Sequence, residues 1–134
     1  MKKAFLYFVS LAAMMLLLQN CKDNSEKATD IRSNYVGEWD FTVCRTTFVM
    51  DSIAEFDTIN YIGGISAKGT DQIDINYTEC DTVSLHIDGS GNLSGFPSPQ
   101  YSCGEFTSDN TIHLYLRWGG LGGGKIHVVD GMKR

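Results

Sequence analysis

Four segments of the chain alternate apolar and polar residues with a period of two, and this pattern constrains the fold more than any other feature. The alternating segments are residues 39–43, 73–77, 83–87 and 112–116. Successive side chains of a β-strand point to opposite faces, so each segment presents one apolar face, as antiparallel strands do when they cover a core. After the first 20 residues, no apolar pattern of helical period and helical length occurs.

Short turn-forming segments separate the alternating ones at the spacing of β-hairpins. They are rich in Gly, Asp, Asn and Ser and lie at residues 63–64, 68–71, 88–91, 108–110 and 119–124. The pattern predicts an all-β domain of about eight strands, built as a small antiparallel up-and-down barrel, with a β-sandwich as the alternative. The predicted strands are residues 39–50, 55–67, 71–77, 82–88, 91–95, 102–107, 111–118 and 124–131.

The first predicted strand opens with a glycine, Gly37, two positions before a tryptophan, Trp39. This Gly-x-Trp opening, followed by repeated short β-patterned segments, resembles the opening of the lipocalin (calycin) family. The resemblance implies that the tryptophan closes one end of the barrel and that a basic residue at the end of the last strand lies across its ring, where Lys133 or Arg134 would serve. A tryptophan that belongs only to the core is the alternative.

The beginning of the chain has the layout of an export signal. Lys2 and Lys3 precede an uncharged apolar run at residues 4–18, which is too short to span a bilayer comfortably. Residues 18–21, Leu-Gln-Asn-Cys, are similar to a lipobox, in which Cys21 would be acylated after cleavage; a plain secretory signal is the alternative. The predicted organisation is a signal peptide at 1–20, a lipidated Cys21 with a flexible tether at 21–34, and a β-domain at 35–134.

The residues after Cys21 bear on location. Lys22 stands where an Asp would favour retention in the inner membrane, so the outer membrane is predicted, on its periplasmic or cell-surface face. Asp23 and Glu26 resemble the short acidic surface-export signals of Bacteroidota-type outer-membrane lipoproteins. The net charge of −5 argues against nucleic acid as a partner and against electrostatic docking on anionic lipid, so the membrane is predicted as a partner through the anchor alone.

In an eight-stranded meander, the turn at residues 79–81, the loop at 96–101 and the glycine run at 119–124 meet at the end opposite Trp39. Phe96, Tyr101 and Trp118, with Gly119 and Gly120, are predicted to form a ligand entrance there. The expected function is binding of a small hydrophobic or sugar-like ligand, and the alternative is a non-catalytic interaction lipoprotein that docks an envelope protein. An inner cavity would favour the first function, and a filled lumen with an apolar outer patch the second; that cavity would be lined by Phe41, Val43, Ile75 and Leu114.

Three cysteines remain in the predicted β-domain. Because Cys80 and Cys103 both fall near the predicted open end, a disulfide between them is favoured, leaving Cys44 free. Three reduced thiols are the alternative. Their spacing does not resemble a metal site.

The histidines His86, His113 and His127 are expected on polar strand faces, with no metal, cofactor or catalytic role. A last hairpin centred on Leu121 would place Tyr115 opposite His127 and Arg117 opposite Lys125.

Three sites match the loose Asp-Ser/Thr-apolar pattern on which Bacteroidota-type exported proteins are O-glycosylated. The predicted acceptors are Ser52, Thr58 and Thr82.

Overall fold

The computed structural model describes residues 30–50, 52–98 and 100–134, and these residues form a closed antiparallel β-barrel. Each strand pairs with the next along the chain, and β8 pairs with β1, so the eight strands run up and down and the sandwich alternative is excluded. A short 3-10 helix, Ile31–Asn34, precedes the barrel. The strands are β1 (Gly37–Val49), β2 (Ser52–Lys68), β3 (Gln72–Asn76), β4 (Thr82–Ile87), β5 (Asn92–Ser94), β6 (Ser102–Ser108), β7 (Thr111–Gly120) and β8 (Gly123–Lys133).

The eight strands predicted from the sequence are all present, each within three residues of its predicted bounds. Alternation works as expected because the apolar members of each run point into the barrel, where they are buried, while their polar neighbours face solvent. The lumen of the barrel is filled by large side chains, so there is no deep apolar chamber among the described residues. Those with almost no exposed surface are Trp39, Phe41, Val43, Ile73, Ile75, Tyr77, Leu85, Leu93, Leu114, Leu116 and Val129.

The strands differ greatly in length, and this difference shapes one end of the molecule. β3 to β6 are short, and β2 pairs with β3 only from Gly64 onward. At the other side, β7 pairs with β6 only up to Leu114. Beyond these points β2, β1, β8 and β7 continue together as a four-stranded sheet, here called the upper sheet, made of residues 52–63, 43–49, 123–128 and 115–120. The end with the upper sheet is the open end, and the end with both termini of the barrel is the closed end.

The closed end is sealed around Trp39. Gly37 has φ of +140°, a conformation that favours glycine, and it brings the 3-10 helix under the barrel. The Trp39 indole N–H donates to the carbonyl of Tyr35 at 2.8 Å. Lys133, directly opposite Trp39 in the β1–β8 register, donates from Nζ to the carbonyl of Asn34 at 2.7 Å.

Lys133 therefore lies beside Trp39 at the closed end, but it donates a hydrogen bond to the carbonyl of Asn34 and does not lie across the indole ring as the resemblance implied. Arg134 forms an exposed ion pair with Asp40 at 3.3 Å. Among the described residues no cation lies over the Trp39 ring, whose aromatic neighbours are Phe41 and Phe106, with ring centroids 6.3 and 5.8 Å away.

The folded domain begins earlier than residue 35, because Arg32 ties the preceding segment to the barrel. Its guanidinium donates to the carbonyls of Lys68, Gly69 and Gln72, which turn the chain from β2 to β3. Asp30 accepts from the same guanidinium and from the Arg32 backbone N–H. Residues 31–34 are thus a packed cap, a structure that the polar composition of the predicted tether did not indicate.

The predicted signal peptide, Cys21 and residues 22–29 of the tether lie outside the described residues. Within the described part of the chain, no helix is long and apolar enough to cross a membrane.

We expect replacement of Arg32 by alanine to lower the urea midpoint of unfolding, because three carbonyls lose a charged donor and Asp30 loses its ion pair. The control is Arg134→Ala, which removes an exposed ion pair and should change the midpoint little. Equal midpoints for the two variants would show that the cap does not stabilise the barrel.

Gly63 marks the point where β2 parts from β3. A Cβ at this position would lie 1.9 Å from the carbonyl oxygen of Asn76, a backbone atom that cannot rotate away. We expect Gly63→Ala to lower the free energy of unfolding by about 1–3 kcal/mol through overpacking. Gly120→Ala is the control, since nothing lies within 4 Å of a Cβ there. Urea denaturation of both variants measures the difference, and a Gly63→Ala protein as stable as the control would contradict the close approach.

Candidate functional site

An open cavity of about 680 Å³ lies at the open end, on the inner side of the upper sheet. β1, β2, β7 and β8 extend beyond the filled lumen. Their inward-facing positions there are mostly polar, whereas within the lumen they are apolar. Most of the side chains that line the cavity can donate or accept hydrogen bonds. The lining residues are Arg45, Thr46, Thr47, Glu55, Phe56, Asp57, Asp81, Trp118, Lys125 and His127.

The four residues predicted to line an inner cavity do not do so. Phe41, Val43, Ile75 and Leu114 each have at most 1% of their surface exposed, and they pack below the cavity as part of the core. The cavity is therefore a shallow polar mouth above a solid barrel. A deep apolar calyx is not formed by the described residues.

One wall of the cavity is held by an ion pair between neighbouring strands. Arg45 of β1 lies directly opposite Asp57 of β2, and its Nε donates to Asp57 Oδ1 at 2.9 Å. Its Nη2 donates to Oδ2, so the contact is bidentate. The hydrogen bond from Arg45 is the main cause that holds the pKa of Asp57 below its usual range. The pair fixes the direction of both side chains and keeps Asp57 ionised.

His127 forms the floor of the cavity and is buried, with 6% of its surface exposed. Its Nδ1 lies 3.2 Å from the hydroxyl of Tyr77. Burial raises the pKa of Tyr77 above its usual range and lowers the pKa of His127, so both groups are neutral at pH 7. The Tyr77 hydroxyl has no other hydrogen-bond partner among the described residues. In the tautomer with the ring proton on Nε2, Nδ1 accepts from Tyr77 and Nε2 can donate to a ligand.

Trp118 supplies the aromatic surface of the cavity. It packs edge-to-face against His127, with ring centroids 4.6 Å apart, and against Phe96 at 4.8 Å. Phe96 thereby fixes the ring from the side of the β5–β6 loop, which reaches β7 where β6 no longer accompanies it. An aromatic ring beside charged hydrogen-bonding groups suits a ligand that has one apolar face and several hydroxyl groups.

The predicted ligand entrance is thus only partly assembled. Trp118 lines the cavity and Phe96 supports it, whereas Tyr101 is 54% exposed and is not a lining residue. Gly119 and Gly120 are paired within the β7–β8 hairpin, opposite Gly124 and Gly123.

The β7–β8 register differs from the predicted one by one residue. The loop consists of Leu121 and Gly122 alone, a two-residue hairpin loop, whereas the prediction centred the hairpin on Leu121. The structure pairs Leu116 with His127 and Trp118 with Lys125, so Tyr115 is not opposite His127 and Arg117 is not opposite Lys125. This one-residue shift moves His127 from the predicted outer face to the buried inner face.

Two histidines lie on the surface as predicted. His86 Nδ1 contacts Asp71 at 2.9 Å, and His113 Nδ1 contacts Asp130 at 2.7 Å. No group of three or more potential metal-binding side chains occurs within the described residues.

The structure does not join Cys80 to Cys103. The two side chains point to different environments: Cys103 is buried against the core and contacts the carbonyl of Leu93 at 3.7 Å, while Cys80 is exposed. Burial raises the pKa of the Cys103 thiol, which keeps it protonated and unreactive. Cys44 is free, half-buried and 3.6 Å from the hydroxyl of Thr58.

The three predicted glycosylation acceptors are all exposed. Ser52 begins β2, Thr58 lies on the outer side of β2, and Thr82 begins β4. Their modification stays a prediction.

The outer side of the upper sheet is unusually apolar. Strand alternation and register place on it three rows of residues in which Arg117 is the only charged member, and Arg117 itself lies over the ring of Phe48 at 5.2 Å. Ile53 and Phe56 are 72% and 65% exposed. This surface, here called the outer patch, comprises Cys44, Phe48, Ile53, Phe56, Tyr115, Ile126 and Val128.

No protein-family model matches the chain, and no curated protein or solved structure matches it either. The closed eight-stranded barrel agrees with the fold that the Gly-x-Trp resemblance implied, whereas membership of the lipocalin family stays a prediction.

The buried His127 should make stability depend on pH. Because the pKa of His127 is lower in the folded than in the unfolded protein, the unfolded state binds a proton first as the pH falls through about 6.5. The free energy of unfolding should therefore decrease between about pH 7.5 and 5.5.

We expect His127→Gln, which cannot titrate, to reduce this decrease in urea titrations at several pH values. The exposed His113→Gln variant should still lose stability on acidification. A His127→Gln protein whose stability falls as steeply as that of the wild type would contradict a neutral, buried His127.

Proposed function

We propose that this protein is a lipid-anchored cell-envelope protein of the outer membrane whose barrel binds a sugar-like ligand at its open end, without catalysing a reaction. The observation that carries the ligand proposal is the composition of the cavity: Trp118 beside the Arg45–Asp57 pair and the neutral His127. The apolar face of a hydroxylated ring can stack on the indole of Trp118. Its hydroxyl groups can form hydrogen bonds with the carboxylate, guanidinium and imidazole groups.

The polar lining favours the sugar-like over the hydrophobic ligand. Burying Glu55, Asp57, Asp81 and Lys125 under an apolar molecule would leave charged groups without water or partners, which is costly. Hydroxyl groups replace the lost water at these sites. The proposal of binding without catalysis rests on Asp57 being committed to Arg45 and His127 to Tyr77.

The anchor part of the proposal rests on the sequence of residues 1–21 and is tested separately. A chain expressed in a bacterial host should gain the mass of acyl chains at Cys21 and fractionate with membranes, and Cys21→Ser should abolish both. Secretion of the wild-type chain as a soluble, unacylated protein would contradict the anchor and leave the cavity unaffected.

The ligand proposal is tested in two steps. Native mass spectrometry of the purified protein should show whether a small molecule co-purifies and is lost on denaturation. Isothermal titration calorimetry is then done with a panel of neutral, amino and uronic-acid mono- and oligosaccharides.

For a saccharide that binds, Trp118→Ala should weaken affinity about tenfold, or about 1.4 kcal/mol, because the apolar ring face loses its support. Tyr101→Ala, an exposed aromatic outside the lining, should bind like the wild type. Absence of binding to every saccharide at millimolar concentration, or unchanged affinity of Trp118→Ala, would contradict the proposal.

A second candidate function is docking of an envelope protein without a small ligand. The filled lumen and the outer patch favour it, since exposed apolar patches on soluble domains commonly mark interaction sites. Substituting Ile53 with serine, an exposed residue of the outer patch that does not line the cavity, should abolish capture of such a partner while leaving saccharide binding by Trp118 in place.

A further inference from the structure

The edge of β2 at the open end is exposed over an unusual length. Residues 52–63 of β2 pair with β1 on one side only. No strand among the described residues pairs with their other side. The corresponding edge of β7 differs, because the β5–β6 loop approaches that strand and contacts it through Phe96 and Trp118. Exposed edges present unpaired N–H and C=O groups that readily accept another strand.

This edge also lacks the residues that usually prevent such pairing. Residues 56–62 read Phe-Asp-Thr-Ile-Asn-Tyr-Ile, with no proline and no lysine. Their one charged side chain, Asp57, is already neutralised by Arg45 within the same protein. The segment is thus a nearly uncharged strand of high β-propensity.

We infer that the edge of β2 pairs antiparallel with the same edge of a second copy, forming a two-fold symmetric dimer centred on Ile59. Directly opposed residues of an antiparallel pair lie on the same face of the sheet. In a two-fold symmetric pair, one residue therefore lies opposite the same residue of the second copy. With Ile59 at the centre, Phe56 lies opposite the Ile62 of the second copy, and Thr58 lies opposite its Asn60. On the inner face, Asp57 lies opposite Tyr61.

The choice of Ile59 follows from the charges together with the pairing of apolar residues. Centres at residue 56 or 57 would place Asp57 opposite Glu55 or opposite another Asp57, and directly opposed like charges are destabilising. The Ile59 register avoids this and pairs apolar with apolar residues on the outer face, next to the outer patch. Its self-complementarity favours a second copy over an unrelated strand.

The dimer should be weak. Seven paired residues extend about 24 Å and bury less surface than a standard interface, so we expect dissociation on the order of micromolar or weaker. The dimer can be tested separately from ligand binding, since Thr58 and Asn60, the two positions substituted in the test below, are not lining residues of the cavity.

The test is sedimentation equilibrium of the purified protein in a density-matched detergent and reducing buffer, from about 1 to 500 µM. The sample is one whose intact mass shows no glycan, because a glycan on Thr58 would block the edge. We expect a monomer–dimer equilibrium for the wild type. The double variant Thr58→Lys/Asn60→Lys should weaken dimerisation at least tenfold, because it places lysines opposite each other twice across the two-fold axis.

Charge reversal makes the test specific for this register. Thr58→Glu/Asn60→Glu should likewise be monomeric, and an equimolar mixture of the Lys and Glu variants should restore dimers, because each lysine then faces a glutamate. Ser66→Lys is the matched control: it is exposed on the same strand, but there β3 covers the edge and offers Asp74 as a partner. Circular dichroism and the unfolding midpoint confirm that each variant is folded.

A wild-type protein that stays monomeric at every concentration would overturn the inference. So would assembly beyond the dimer, Lys and Glu variants that dimerise like the wild type, a mixture that stays monomeric, or a Ser66→Lys protein that loses dimerisation equally.

Discussion

The unequal lengths of the strands determine the rest of this structure. A closed barrel satisfies the backbone hydrogen bonds of every strand only as far as all eight strands extend. Here β3 to β6 end early, so the lower barrel is a filled core while β2, β1, β8 and β7 continue alone. The same difference in length creates the polar cavity on the inner side of the upper sheet and the free edge of β2.

The transition from core to cavity is visible along single strands. On β1 the inward positions run Trp39, Phe41, Val43 and then Arg45, and on β8 Val129 is followed toward the open end by His127 and Lys125. Apolar residues occupy these positions where all eight strands surround them, and hydrogen-bonding residues occupy them where water can enter. The Tyr77–His127 contact joins the two regions, because Tyr77 belongs to the core and His127 to the cavity floor.

Much of the fold follows from local sequence, because strand alternation and turn composition act over a few residues. The eight strands were predictable for that reason, whereas the position of Lys133 beside Trp39 followed from the lipocalin resemblance. The site was less predictable, although Arg45 continues the inward parity of Trp39, Phe41 and Val43 on β1. His127 was missed because a one-residue error in the length of a hairpin loop inverts the faces of a strand. The role of Arg32 depends on carbonyls more than 30 residues away, which no local pattern encodes.

The most direct test of a ligand site at the open end is a saccharide titration followed by ¹⁵N-correlated NMR. The indole N–H signals of the two tryptophans report on opposite ends of the barrel. Trp118 lines the cavity, whereas the indole N–H of Trp39 is bonded to Tyr35 at the closed end. The Trp118 signal should shift in a saturable manner together with the amides of Arg45, Asp57 and His127, while the Trp39 signal stays in place. Shifts confined to residues of the outer patch, or equal shifts of both indole signals, would contradict a site in the cavity.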